Sequence, residues 1–402
     1  MKIRAVTLGM DLPVPEVQAE PFRVAASFLQ DARAAFSSAG LEVQTTRLAG
    51  PELAATLARL DGDWARWASE TERAACWAGI DYLSLGRAPA DAAGVRSVAE
   101  HASAILAAGQ IAFLSADLIE PTTGLPSVAM AAACARAVRE LAAATPDGFG
   151  NLRFCATAHC PPNIPFLPAA YHAGGPPRFS VAVQAADVVL DALRGPGGMS
   201  AIEDRLVAAL EVAAAPIERV ADELSRASGY AWVGIDLSPA PFPTDNVSIG
   251  AALEAAGADR FGAPGTLYIA AMVARAIRRT RLRRCGFSGL MLPVLEDSVL
   301  ARRMAEGASS LHELLLYSAV CGTGLDTVPL PGDVSEAELA GAYLDVAALS
   351  VALGGKPLTA RLLPVPGAPP GALTEYRFEY FANSRVPPAA GAGAAGVLAR
   401  GA

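Results

Sequence analysis

Short apolar runs rich in β-branched residues alternate along this chain with longer, alanine-rich stretches in which apolar positions recur at helical spacing. The short runs are typical of buried strands and the longer stretches of amphipathic helices, so their alternation predicts an α/β architecture. Ten strands are predicted, at residues 3–8, 41–46, 80–85, 111–114, 152–157, 179–183, 232–237, 287–292, 326–330 and 358–363. Helices are predicted between them, at residues 21–38, 51–60, 95–106, 128–143, 185–193, 200–227, 265–283, 298–305 and 336–353.

This pattern continues without a linker-like interruption until the last residues of the chain. Residues 1–386 are therefore predicted to form a single α/β domain. Residues 387–402 are dominated by alanine, glycine and proline. Low complexity of this kind predicts a flexible tail.

Composition argues against several classes of protein. The chain has 402 residues, of which 52% are hydrophobic and 18% charged, so we expect a large buried core rather than a disordered chain. The formal net charge of -8 argues against a nucleic-acid partner, because phosphate binding needs a surplus of Lys and Arg. The apolar runs end before the roughly 20 residues that span a membrane, so no membrane partner is expected.

The cysteines and the first residues indicate the cellular setting. Six cysteines are scattered without metal-finger spacing, and the chain does not begin with a charged-then-apolar signal segment. We therefore expect a reduced, cytoplasmic protein. Because alanine-rich helix surfaces can pack against a copy of themselves, we also expect a homodimer.

A proline-rich segment at residues 155–172 concentrates groups that could carry chemistry. It contains His159, His172, Asn163 and Cys160 directly after a predicted strand. Its prolines exclude a helix or a central strand and predict a stiff loop that holds its polar groups in place. The two histidines could be acid/base groups, with Asn163 binding substrate, or they could be structural. Zinc ligation is a further option, although the spacing matches no recognised zinc motif.

Two other loops precede predicted helices. Thr244 and Asp245 follow a run of prolines, and either residue could cap a helix or help to form a pocket for a carboxylate or phosphate. Gly265 and Thr266 end a glycine-containing turn that permits close backbone approach to a substrate. Neither loop carries a nucleotide-cofactor motif of the Walker or dinucleotide type.

Acidic residues follow apolar segments in the C-terminal half. Glu296 and Asp297 come after one such segment, and Asp326 begins another. Burial would raise the pKa of such a carboxyl toward an acid/base role, or the three could hold a divalent cation such as Mg²⁺, Ca²⁺ or Zn²⁺. The alternative for Asp297 is a helix cap. Arg361 is predicted to anchor an anionic substrate.

Cys321 lies in the glycine-flanked sequence CGTG at residues 321–324. The glycines would allow an exposed turn that suits a reactive thiolate. The alternative is a buried, unreactive cysteine, which is the commoner situation.

Four motifs in order along the chain resemble those of a known family. They are IRAVTLG at residues 3–9, FGAPGT at 261–266, LPVLED at 292–297 and GLDTVPLPGD at 324–333. They are similar to the bacterial and archaeal domain-of-unknown-function family 711. The resemblance implies a fold akin to the ten-stranded α/β barrel of pyruvate formate-lyase and anaerobic ribonucleotide reductase.

The radical chemistry of those enzymes is not expected here. Glycyl-radical enzymes carry an Arg-Val-x-Gly-aromatic motif near the C-terminus, whereas the nearest sequence in this chain, SRVPP at 384–388, lacks the glycine. The chain also lacks a cysteine triplet suited to an iron–sulfur cluster. Cys321 could correspond to the cysteine of the barrel's central loop, by analogy of fold alone.

Taken together, these features predict a non-radical enzyme that acts on a small, polar, anionic metabolite. The expected chemistry is acid/base or divalent-metal-assisted, of lyase, hydrolase or isomerase type. Glu296 or Asp326 would be the base or metal ligand, and His159 and His172 the acid partners. The alternative is a regulatory protein that binds a metabolite without converting it, since the wider family resembles proteins found beside small amino-acid-sensing partners.

Overall fold

Nine strands form one continuous sheet in the computed structural model, which describes residues 1–60, 62–388 and 393–401. They are β1 (Lys2–Gly9), β2 (Val43–Ala49), β3 (Tyr82–Ala88), β4 (Ala112–Asp117), β5 (Phe154–Ala158), β6 (Arg178–Gln184), β7 (Ala231–Ala240), β8 (Gly324–Pro331) and β9 (Leu358–Val365). Their order across the sheet is β7-β6-β1-β2-β3-β4-β5-β9-β8.

Helices fill most of the connections between the strands. They are α1 (Ala19–Ser38), α2 (Leu53–Leu60), α3 (Trp64–Ala78), α4 (Ala92–Ser97), α5 (Ser103–Ala108), α6 (Val128–Ala144), α7 (Ala186–Arg194), α8 (Met199–Ser228), α9 (Ile249–Ala255), α10 (Thr266–Arg279), α11 (Ser298–Ala305), α12 (Leu311–Ser318), α13 (Glu336–Ala352) and α14 (Ala395–Gly401). A π-helical turn joins α4 to α5, and short 3₁₀ turns lie at Pro146–Arg153, Asp245–Val247 and Val294–Glu296. Within the described ranges, no helix is both long and apolar enough to cross a bilayer.

The strands run in two opposite directions, and this positions the candidate site. β1 to β5 are parallel to one another, whereas β6 is antiparallel to β1 and β9 is antiparallel to β5. β7 is parallel to β6, and β8 is parallel to β9. The starts of β1 to β5 therefore lie at the same end of the sheet as the finishes of β6 to β9.

The hydrophobic pattern explains why this sheet is the centre of the molecule. Every residue of β8 and of β9 is buried, as expected for strands that are covered on both faces. The helices that cover them present small side chains, and α6 packs against both α13 and β9. The predicted α/β architecture is thus confirmed, with a sheet that is mostly parallel.

The tenth predicted strand, at residues 287–292, is wrong as a regular strand. The segment 284–293 instead touches β7 through one parallel bridge, Ile235 to Arg284, and β8 through another, Pro293 to Asp326. Regular pairing is broken because Gly286 and Ser288 have positive φ angles of 62° and 38°. The helix α3 was not predicted, although Asp63 before it and Gly79 after it, with a φ of 82°, are typical of helix boundaries.

Part of the predicted tail is helical. Residues 395–401 form α14, whose Leu398 packs against the main core, and the backbone N–H of Ala394 donates to the carbonyl of Ala337 at 2.9 Å. Residues 389–392 and 402 of the predicted tail lie outside the described residues. The apolar side chain of Leu398 explains why this stretch can dock on α6 and α13.

We predict that Gly324→Ala destabilises the fold far more than Gly40→Ala. Both glycines have positive φ, but a Cβ at Gly324 would lie 2.3 Å from the carbonyl oxygen of Thr359 on β9, whereas one at Gly40 meets nothing within 4 Å. We expect losses in the free energy of unfolding of about 3 kcal/mol or more and about 1 kcal/mol, respectively. Urea unfolding measures both, and equal losses would contradict the close approach of β8 and β9.

Candidate functional site

Polar side chains surround a cavity of ≈ 80 Å³ at the end of the sheet where β1 to β5 begin. Arg4 comes from β1, Arg47 from β2 and Arg361 from β9, and Glu296 comes from the 3₁₀ turn before α11. Most of the remaining wall is apolar or aromatic; it includes Tyr82, Phe113, Leu152, Phe166, Leu167, Met291, Phe378 and Tyr380. The alternating directions of the strands bring these distant parts of the sequence together.

Arg361 joins two buried carboxylates beside this cavity. Its Nη2 lies 2.8 Å from Glu296 Oε1 and 2.6 Å from Asp326 Oδ1, and its Nε donates to the same Asp326 oxygen at 2.7 Å. Arg4 Nη2 donates to Glu296 Oε2 at 3.0 Å. Arg361, Glu296 and Asp326 are at least nine-tenths buried, so each charge needs its partner to offset the loss of hydration. We call these four residues the ion-pair network.

The network perturbs the acidity of Asp326. Burial raises the pKa of this carboxyl to about 6, and the negative charge of Glu296 acts in the same direction against the opposing pull of Arg361. Asp326 Oδ2 is buried without a hydrogen-bond partner in the described structure. Burial disfavours the charge of Arg361, but Asp326 and Glu296 outweigh it and raise the pKa of the guanidinium.

Arg47 is a cation of the cavity that forms no salt bridge with any residue in the described part of the chain. Its side chain is 9% exposed, its Nε donates to Thr45 Oγ1 at 3.0 Å, and its Nη1 reaches the carbonyl of Pro165 at 3.5 Å. No carboxylate of the described ranges lies within 4 Å of it. Burial lowers the pKa of Arg47 to about 10, and repulsion from Arg4 adds to this effect.

Asp236 also borders the cavity, but its carboxylate is held by backbone donors. It accepts hydrogen bonds from the N–H groups of Ser238, Phe287 and Ser288 at 2.9 to 3.1 Å. Burial raises its pKa against these bonds. Asp236 thus fastens the segment 284–293 to β7 rather than pairing with an arginine.

The proline-rich loop, residues 159–172, forms one wall of the cavity. Prolines keep their carbonyl groups but lack N–H donors, so the loop depends on polar side chains of the strands. Thr7 Oγ1 donates to the carbonyl of Pro165 at 3.2 Å, and Ser84 Oγ donates to that of Ala170 at 2.7 Å. These bonds place Phe166 and Leu167 in the cavity wall.

Comparison with known proteins agrees with this architecture and with the motifs that surround the network. The family described as uncharacterised ACR (DUF711) matches residues 1–379. The chain belongs to this family. A UPF0210 protein of Pyrobaculum arsenaticum is 39% identical over 235 residues, which are 54% of this chain and 50% of that protein. A UPF0210 protein of Methanopyrus kandleri is 29% identical over 416 residues, covering 92% of this chain and 87% of its own length.

The predicted family resemblance is therefore confirmed. The match spans about half the length of the Pyrobaculum relatives, including one from Pyrobaculum aerophilum that is 39% identical over 236 residues. Family membership carries no reaction with it. The chemistry must be argued from the cavity of this DUF711 chain.

Three of the predicted site residues, Glu296, Asp326 and Arg361, come together in the ion-pair network. The predicted histidines do not join them. His172 is fully buried, with Nδ1 2.9 Å from Asn163 Oδ1 and Nε2 3.2 Å from the carbonyl of Gly175. These contacts brace the proline-rich loop.

His159 lies apart from the cavity as well. Its Nδ1 is 2.8 Å from Ser350 Oγ on α13, and its ring packs near Gly355. It is thus positioned at the opposite end of the sheet, where β5 finishes, and it does not line the cavity.

The two predicted substrate loops also lie outside the cavity. Asp245 pairs with Arg302 at 3.1 Å and accepts from Ser298 Oγ at 2.6 Å, while Thr244 precedes a short 3₁₀ turn. Thr266 Oγ1 donates to the carbonyl of Ala263 at 2.7 Å, and Gly265, with a φ of 102°, precedes α10. These contacts are typical of residues at the beginning of a helix, and none of them is directed into the cavity.

Asp297 points away from the network and caps two helices. Its Oδ1 accepts from Ser248 Oγ at 2.6 Å and from the N–H groups of Val299 and Leu300 at 3.0 Å, and its Oδ2 accepts from the N–H of Ile249 at 2.6 Å. The carboxylate therefore satisfies the first turns of both α9 and α11. Asp297 is therefore a helix-capping residue, which was the alternative considered from the sequence.

The predicted metal ligands are thus separated or already paired. Glu296 and Asp326 face Arg361, whereas Asp297 faces helix starts. Among the residues that the structure describes, no group of three or more His, Cys, Asp or Glu is placed to hold a metal ion. Binding of a divalent cation stays a prediction without geometric support.

Cys321 is buried, not exposed on a turn as predicted. It is 1% exposed, and its sulfur accepts the N–H of Gly324 at 3.4 Å. Burial raises the pKa of the thiol, which disfavours the thiolate. The flanking Gly322 explains the difference, because it packs directly against Gly289 and closes the turn over the sulfur.

The sequence prediction missed Arg4 and Arg47. Both are charged residues within strands whose other residues are mostly buried, and both line the cavity. A charge inside a strand that is buried on both faces is the signal that could have identified them, because such a charge needs a polar partner.

We predict that Asp297→Ala lowers the free energy of unfolding by about 3 kcal/mol, because two helix starts lose their cap and buried N–H groups lose their acceptor. Asp245→Ala is the control, since this side chain is 62% exposed. We expect it to change stability by about 1 kcal/mol or less. Chemical denaturation measures both variants; a small loss for Asp297→Ala would contradict the double cap.

We predict that Asp326 makes the protein less stable as pH rises from about 4 to about 6. The folded protein keeps this proton up to a pKa of about 6, whereas the unfolded chain releases it at about pH 4. Stability falls with pH wherever the folded state binds more protons, by on the order of 3 kcal/mol here. Denaturant midpoints across this range should decline less in Asp326→Asn than in wild type or in the exposed control Asp345→Asn. An unchanged slope would contradict the raised pKa.

Proposed function

We propose that this protein is an enzyme that binds a small anionic metabolite in the cavity and acts on it by acid/base chemistry. The observation that carries the proposal is the charge of Arg47, a buried guanidinium at a cavity wall that has no carboxylate partner among the residues that the structure describes. Burying an unpaired cation costs several kcal/mol, about the scale that an anionic ligand could offset. Perturbed titratable groups beside a cavity are also typical of active sites.

Glu296 is the proposed acid/base group, because it lines the cavity and its two oxygens are held by different arginines. If Glu296 takes up a proton, Arg361 still pairs with Asp326. Arg4 then loses its carboxylate partner of the described structure and is free to pair with the bound anion, so proton uptake by Glu296 is coupled to ligand binding. This property supports a proton-transfer reaction of lyase, hydrolase or isomerase type.

We further propose that the sheet belongs to a barrel like that of pyruvate formate-lyase, without the glycyl-radical loop. Five strands run one way and four run the other. The segment 284–293 makes parallel bridges to both outer strands, so it has the place and direction of a tenth strand. Its position between β7 and β8 supports closure of the sheet around the cavity.

A metabolite-binding regulatory protein without turnover is the second candidate. The observation that favours it is that both oxygens of Glu296 are already bonded by arginines, so neither is free to accept a proton from a substrate. The divalent cation and the homodimer predicted from the sequence remain proposals that await measurement. Both candidates share the small anionic ligand.

The test is to incubate the protein with the small-molecule fraction of a cell extract and to follow all anions by mass spectrometry. We expect wild type to consume one anion and form a product, and Glu296→Gln to reduce the rate at least about a hundredfold. Glu223→Gln, whose side chain is 56% exposed on α8, is the matched control.

Three results decide between the candidates. Turnover that survives in Glu296→Gln removes this residue from the mechanism. An anion that is retained unchanged by wild type supports the regulatory alternative. If no anion is consumed or retained, the proposed function is contradicted.

A further inference from the structure

We infer that the cavity is built for one monocarboxylate with a short apolar body, whose carboxylate is bound by Arg47 and Arg4. This inference rests on the proposed function, and it specifies the charge, size and polarity of the ligand. It is carried by three features: the unpaired guanidinium groups, the apolar remainder of the wall and the volume of the cavity.

The charges around the cavity leave room for a single negative group. Arg361 is paired with both Glu296 and Asp326, and one nitrogen of Arg4, Nη2, is paired with Glu296. Arg4 Nη1 is buried without any hydrogen-bond partner in the described structure, and Arg47 has no carboxylate partner there. Asp236 also borders the cavity, but its carboxylate is bonded by backbone N–H groups and not by an arginine. Among the described residues, Arg47 is therefore the guanidinium without an ion-pair partner, and a monoanion matches it. A dianion would place a second, unpaired negative charge near Glu296.

The geometry favours a carboxylate as that anion. A guanidinium offers donors in a planar fork that matches the two oxygens of a carboxylate. Arg47 is held by Thr45 and lies 5.7 Å from the ring of Tyr82, and Arg4 lies 4.6 Å from the ring of Tyr380. Both guanidinium groups are thus positioned before a ligand arrives, so little side-chain freedom is lost on binding.

The remaining wall fits an apolar body. Phe113, Leu152, Phe166, Leu167 and Met291 line the cavity. Phe166 is fixed by an edge-to-face contact with Phe287, with ring centroids 5.4 Å apart. The other polar side chains of the wall are Gln44, Thr45, Tyr82, Asp236, Ser238 and Tyr380. Thr45, Asp236 and Ser238 already bond protein groups, so a strongly hydroxylated chain would lose many of its hydrogen bonds to water.

The volume limits the size of the ligand. One water needs about 10–15 Å³ of cavity volume measured in this way, so ≈ 80 Å³ holds about five to eight water-sized atoms. A carboxylate with a chain of about three to six carbons in total has this number of non-hydrogen atoms. A long fatty acid or a nucleotide would extend beyond this volume.

The test is calorimetric titration of the full chain with four probes: butyrate, its neutral amide butyramide, the dianion succinate, and inorganic phosphate. We expect butyrate to bind with one site per chain. Butyramide, succinate and phosphate should each bind at least about tenfold more weakly, because a charge-assisted hydrogen-bond pair is lost or a charge is left unpaired.

Variants then assign the binding to the arginines. Arg47→Leu should weaken butyrate binding by about tenfold to a hundredfold, Arg47→Lys should retain part of it, and Arg139→Leu on the exposed face of α6 should have no effect. Without ligand, Arg47→Leu should unfold at a urea concentration no lower than wild type does. That result is expected of a binding residue, whereas a purely structural arginine would lower the midpoint.

The outcomes separate this inference from the proposed function. Equal binding of butyramide, tighter binding of succinate or phosphate, no binding of butyrate to wild type, or unchanged binding in Arg47→Leu overturns the inference. Tight succinate binding would overturn the inference of a monocarboxylate but would remain consistent with the proposed enzyme, which binds a small anion. Conversely, butyrate binding that depends on Arg47, in a protein that converts no metabolite, supports the inference and removes the proposed catalysis.

Discussion

The salt bridges of Arg361 to Glu296 and Asp326 are the interaction on which the site depends. Arg361 lies on β9, Glu296 in the 3₁₀ turn that precedes α11, and Asp326 on β8. Arg4 connects these residues to β1. Loss of one member would leave a buried charge unpaired, which typically costs about 3–5 kcal/mol. Such a network need not stabilise the fold more than apolar residues would. Its presence in a large apolar core therefore points to a functional reason.

The same polar side chains of the strands serve both structure and site. Arg47 reaches the carbonyl of Pro165 and also faces the cavity, and Thr7 holds the same carbonyl. The proline-rich loop is thus rigid for two reasons. Its prolines restrict the backbone, and side chains of the strands donate hydrogen bonds to its carbonyl groups. A rigid loop can present Phe166 to a ligand at low entropic cost. The histidines that drew attention to the loop brace it from outside the cavity.

The sequence was sufficient for the α/β class, the nine regular strands and the convergence of Glu296, Asp326 and Arg361. It was insufficient where short-range pattern and long-range packing disagree. Residues 287–292 have the composition of a strand, but two positive φ angles near Gly286 interrupt regular pairing. Cys321 has the flanks of an exposed turn, but contact between two glycines buries it. Arg47 could be recognised only with its neighbours from other strands, since its unpaired state is a property of the tertiary structure.

The central claim is that arginines, and not a metal ion, neutralise the two carboxylates of the network. Elemental analysis combined with native mass spectrometry of freshly purified protein tests it most directly. We predict that Glu296→Gln and Asp326→Asn contain the same amount of divalent metal per chain as wild type. One equivalent of a divalent ion in wild type, lost in either variant, would contradict it.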